Sequence, residues 1–199
     1  MFFEPKEQAL CDAFLANGIV KIKAEDAGAL HKIRTTLAQA AASALSISLP
    51  EDTGQFLNHI HERVNPGALN TFRLHVFEAM NAESWLREAY YAIGREAINA
   101  IVGNELCMQR RVNLSIQLPH DDSSLLPVHS DVWSGDSPYE VVLWVPYVDC
   151  AGTKSMYFAT PEADAKVTAH FSAYKNAEAL YQAIAKDAPF MEVAFGEAL

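Results

Sequence analysis

Residues 111–118 read Arg-Val-Asn-Leu-Ser-Ile-Gln-Leu (RVNLSIQL). Arg111, Asn113, Ser115 and Gln117 alternate with Val112, Leu114, Ile116 and Leu118. In an extended chain this period of two puts the polar set on one face and the apolar set on the other. A polar loop over 119–127 follows. A second β-like run spans 139–148 (YEVVLWVPYV) and a third spans 155–159 (SMYFA). Alternation returns at 191–195 (MEVAF). Strands with one polar and one apolar face suit a sandwich or jelly roll with a polar mouth.

Working outward, the first hundred residues carry a helical period. Leu30, Ile33, Leu37, Ala41 and Leu45 recur at three- and four-residue spacing, and Asp26 stands where it can cap that helix. Residues 8–17 form a shorter helix ended by Asn17-Gly18, and 19–23 alternate like a strand. Further helices are expected over 54–65, 68–80, 83–101 (ended by Gly103) and 172–187. His31, His59, His61 and His75 then fall on helix surfaces. Helices first and strands afterwards argue against a βαβ series. No GxGxxG or P-loop motif supports a phosphate cradle. The expected class is therefore α+β in one domain, with residues 1–104 mainly helical and 105–199 forming a jelly-roll core.

The chain of 199 residues carries 15 Lys and Arg against 25 Asp and Glu, a net charge of −10. That field disfavours nucleic acid. No apolar run of about 18 residues is present to span a bilayer, and the opening MFFEPKEQ lacks the order of a secretory signal. Cys11, Cys107 and Cys150 are odd in number and far apart, which supports neither a disulfide framework nor a zinc ribbon. A soluble protein of a reducing cytoplasm is the expectation.

Chemistry concentrates at His129-Ser130-Asp131. In an extended segment, residues two apart point the same way, so an imidazole nitrogen and a carboxylate oxygen can converge on one metal ion. Such N/O donors suit Fe(II), Mn(II) or Zn(II). A three-residue pattern is weak by itself, and a surface histidine is the plainer alternative. Asn113 and Gln117, on the polar face of the preceding run, can hydrogen-bond a ligand or simply be solvated. Arg111 shares their parity and offers a fork for a carboxylate. Trp133 is placed to stack against a ligand, whereas Trp144 reads as core.

Residues 129–157 (HSDVWSGDSPYEVVLWVPYVDCAGTKSMY), 56–81 (FLNHIHERVNPGALNTFRLHVFEAMN) and 13–22 (AFLANGIVKI) resemble the Fe(II)/2-oxoglutarate-dependent dioxygenases of the phytanoyl-CoA-hydroxylase-like branch. More narrowly, they resemble the small oxygenases of sporadic carbohydrate-biosynthesis clusters. The resemblance covers nearly the whole chain. It implies a double-stranded β-helix with flanking helices, one Fe(II), and 2-oxoglutarate as co-substrate. It also implies hydroxylation of a small molecule, a sugar or sugar-linked intermediate of polysaccharide assembly, and it is compatible with a homo-oligomer. His129 and Asp131 match the first two ligands of the family's two-histidine, one-carboxylate triad. The family's distal His and the basic residue after it have no match before Leu199. The third ligand is then expected to be His170 or a residue beyond Leu199, and Lys154 can replace the basic residue if it points inward. The alternative expectation is an inactive or truncated jelly-roll module that binds ligand without redox chemistry.

Overall fold

The computed structural model describes residues 3–103, 105–120 and 126–199. Helix α1 (Pro5–Asn17) ends where the Gly18 N–H donates to Phe14 O at 2.7 Å, with Gly18 at φ 70°. That left-handed turn is one glycine adopts without strain. Strand β1 (Ile22–Lys23) leads to α2 (Ala27–Ala44), whose first turn is capped by Asp26 accepting from Ala29 N at 2.8 Å. Helices α3 (Thr53–Asn58) and α4 (Pro66–Ala82) follow, capped by Asp52 and Asn65. Ile33 of α2 and Val76 of α4 are wholly buried in one core with Leu30, Phe56, Leu69 and Phe72. Each such aliphatic side chain contributes about 1.5–3 kcal/mol relative to exposure.

The helix expected over 83–101 is two helices, α5 (Leu86–Ala92) and α6 (Arg95–Val102). The break falls at Gly94, where a Cβ would come within 3.0 Å of Leu143 and 3.4 Å of Ile22. The Glu25 carboxylate then accepts from Glu96 N and Ala97 N at 2.8 and 3.1 Å, satisfying the new N-terminus. Toward the other end, α7 (Pro161–Ala169) and α8 (Ala177–Ile184) enclose a second small core of Ala163, Val167, Leu180, Ile184 and Ala188. Among the described residues, no helix is long and apolar enough to cross a membrane.

The expected α+β class with a double-stranded β-helix over 105–199 is not what the chain adopts. Helical segments make up 53% of the described residues, which hold only two strands, β1 and β2 (Glu197–Ala198), in one antiparallel pair. The runs at 111–118, 139–148 and 155–159 contain no strand. The alternation of residues 111–118 is real: Val112 and Leu118 are buried and the four polar residues are exposed. Its apolar face, however, rests on helices. Val112 N donates to Asn81 Oδ1 at 2.8 Å, and Asn81 Nδ2 donates to Val112 O at 3.0 Å. Arg87 likewise donates to the carbonyls of Gln109 and Met108. Helix side chains thus take up the backbone groups of Val112 and the carbonyls of Met108 and Gln109, bonds of the kind a ladder would have supplied. Residues 121–125 of the polar loop lie outside the described residues.

β2 lies between two partners. Ala198 pairs with Ile22 of β1 on one side. On the other, Leu199 and Trp144 exchange both backbone bonds, at 3.0 and 2.9 Å. Val193 and Cys150 do the same in the same antiparallel register, both at 2.9 Å. Between these pairs a turn at Gly196 (φ 105°) interrupts the ladder, held by Glu197 N to Ala194 O and by Phe195 N to Asp149 Oδ1 at 2.8 Å. The Phe195 ring sits 3.7 Å from the Arg34 guanidinium and edge-on to His31, which ties this turn to α2.

Candidate metal centre

His129 lies on the extended segment just before a short 3-10 helix, Asp131–Ser134. Its Nδ1 is 2.7 Å from Pro127 O, and a carbonyl only accepts, so Nδ1 carries the proton. In the neutral ring Nε2 therefore presents a lone pair, and it faces Asp131 Oδ1 at 3.6 Å. Two acceptors face each other, an arrangement that a proton on Nε2, a metal ion or a bridging water satisfies. Bonds of about 2.1 Å at ordinary coordination angles set adjacent ligand atoms ~3.0–3.4 Å apart, so a small closure suffices. The carbonyl on Nδ1 is the kind of outer partner that orients metal-bound histidines. Both side chains are about half exposed.

An apolar cleft of about 200 Å³ adjoins the segment, lined by Val128, Trp133, Phe171, Tyr174, Ala177 and Leu180 with Asn176 as a polar group. Trp133 and Phe171 pack with ring centroids 4.7 Å apart. The volume is below that of a typical drug-sized pocket and suits one ring or short chain.

The other expected residues lie elsewhere. His170 caps the C-terminus of α7. Among the described residues, no third His, Cys, Asp or Glu ligand atom lies within 4.8 Å of both His129 and Asp131. The Arg111 guanidinium is 5.8 Å from the Phe77 ring centroid, on the α4 side. Asn113 rims a small crevice with Leu37, Phe77 and Tyr147. Gln117 is exposed. Lys154 Nζ donates to Asn58 Oδ1 at 3.0 Å. Among the described residues, none of these makes a hydrogen bond or ion pair with His129 or Asp131.

A second group of donors, His59, His61 and Glu62, was not among the expected sites. A continuous helix over 54–65 turns residues two apart about 200° away from each other. In the structure α3 stops at Asn58 and a 3-10 turn, Ile60–Glu62, follows. At three residues per turn, His59 and Glu62 share an edge. The signal available in the sequence was the spacing His-x-His-Glu.

Comparison of the chain with protein-family models, curated proteins and solved structures gave no match.

Proposed function

We propose that the chain is an Fe(II)- and 2-oxoglutarate-dependent oxygenase that hydroxylates a small molecule, with His129 and Asp131 as two iron ligands. The observation that carries this reading is the pair itself: a lone pair and a carboxylate oxygen 3.6 Å apart, with the ring oriented from behind by Pro127 O. The sequence resemblance supports the choice of metal and co-substrate. Iron, 2-oxoglutarate and O2 together supply the oxidising chemistry, in which succinate and CO2 leave and one oxygen atom becomes the substrate's hydroxyl. His129 and Asp131 hold the ion, Pro127 O keeps the Nδ1 proton in place, and the Trp133–Phe171–Tyr174 cleft receives an apolar or ring-shaped part of the substrate. A sugar or sugar-linked substrate and a cytoplasmic setting rest on the sequence reading. His170, the nominated third ligand, caps α7, and its chain neighbour Phe171 packs on Trp133.

The lack of a third donor at the pair among the described residues favours a second reading, a module that binds a ligand without redox chemistry. One experiment separates them. Anaerobic addition of Fe(II) and then 2-oxoglutarate should give a visible charge-transfer band in the wild type. The band should be lost in His129→Ala and Asp131→Ala while far-ultraviolet circular dichroism stays unchanged. Wild-type Fe(II) affinity in either variant would overturn the assignment, and absence of a band from folded wild type would favour the second reading.

A further inference from the structure

We propose that His59, His61 and Glu62 form a separate metal site that takes Zn(II), with a coordination position open to solvent. One ligand atom from each residue lies within 4.8 Å of the others. His59 Nδ1 is 2.9 Å from Glu62 Oε1, already close to the separation of adjacent ligands on one ion. The imidazoles of His59 and His61 lie side by side, 30° apart in plane and 5.8 Å between centroids.

The turn that presents them is held from beneath. Arg63 N and Val64 N both bond to Ile60 O, at 3.0 and 3.1 Å. Ile60 and Val64 are buried in the main core, whereas His59, His61 and Glu62 are exposed. The apolar residues therefore fix the backbone, and the donors need only rotate to close on an ion. Two imidazoles and one carboxylate are the protein ligands of several catalytic zinc centres, where water fills the fourth position. The chain's charge of −10 adds a general attraction for cations. The assignment is independent of the oxygenase reading, because it shares no residue with the His129–Asp131 pair.

Co(II) is the probe, since its visible d–d absorption reports N/O coordination, and Zn(II) then competes. His61→Ala and Glu62→Gln should each lose one bound equivalent or weaken it about tenfold or more, relative to the wild type. The same loss is expected whether or not His129→Ala removes another equivalent, so failure of one site is distinguishable from failure of the other. Long-range ¹H–¹⁵N spectra should show the His59 and His61 ring nitrogens shifting on Zn(II) addition. Zn(II) should raise the melting temperature of the wild type and not of His61→Ala. Unchanged Co(II) stoichiometry and affinity in both variants, or unmoved His59 and His61 ring signals at saturating Zn(II), would overturn the proposal.

Discussion

Asn81 is the residue whose removal most directly tests how the 111–118 segment is held. Its side chain accepts from Val112 N at 2.8 Å and donates to Val112 O at 3.0 Å. Asn81→Ala removes both bonds and leaves a peptide group of a buried residue without partners. Each bond contributes about 0.5–1.5 kcal/mol net, and a stranded buried group costs about 1–3 kcal/mol. The third bond, to Phe77 O, adds little because that carbonyl lies within α4. The expected loss is about 2–4 kcal/mol, or roughly 1 M in the urea midpoint with an unchanged slope. The assay is equilibrium unfolding followed by circular dichroism. Asn81→Asp keeps the acceptor and sets a carboxylate oxygen against the Val112 carbonyl. Ionisation is then disfavoured in the folded state, so stability should fall further as pH rises through that carboxyl's titration. A loss below about 1 kcal/mol in Asn81→Ala would refute the reasoning. It would mean that the backbone of Val112 does not depend on Asn81 for its partners.

Two further outcomes follow from individual side chains. Cys107 is exposed, Cys11 is half-buried with its thiol on Ala100 O at 3.1 Å, and Cys150 is buried with its thiol pushed upward by desolvation. Mass-spectrometric timing of iodoacetamide labelling should find Cys107 first and Cys150 last, and early labelling of Cys150 would contradict its placement beside Val193. The Ala194 N–H, and then Lys21, hold the Glu197 carboxyl below its ordinary 4.5. The unfolded chain thus binds more protons in that range, so this stabilisation is present above pH ~4.5 and is lost as pH falls through the lower folded value. Glu197→Gln should flatten that acid limb in pH-dependent melting, and an unaltered limb would count against the contact.

Local signals in the sequence were legible where they were self-sufficient. Asp26 as cap, Asn17-Gly18 as a stop and the spacing of Leu30, Ile33 and Leu37 each involve neighbours within a turn or two, and each is realised. The Thr160-Pro161 start of α7 carries comparable cap chemistry, with acidic Glu162 and Asp164 in the first turn, and forms a helix between the β-like run at 155–159 and the helix expected over 172–187. Period two at 111–118 correctly told which side chains face inward, yet it cannot tell what they face. A sheet requires partners far along the chain, and here Asn81 and Arg87 took that role. At the candidate site, the spacing of His129 and Asp131 predicted that they point the same way, and Nε2 and Oδ1 lie 3.6 Å apart, with Asp131 opening a 3-10 turn. The His59–His61–Glu62 convergence was not legible, because it depends on α3 ending at Asn58 rather than running on. Of the expected carboxylate-holding groups, parity placed Arg111 on the polar face but could not foresee Phe77 beneath it.

The seating of Glu197–Ala198 between Ile22 and Trp144 bears on the order in which the chain assembles. Contacts among α2, α4 and α5 join stretches close in sequence, whereas the Ile22–Ala198 pair joins stretches far apart in it, and such long-range pairing is the slower kind to form. During synthesis the helical half emerges before residues 197–198 do, so β1 waits at its edge for a partner made later. Until residues 197–198 pair with it, β1 is an unpaired template open to pairing with a neighbouring chain.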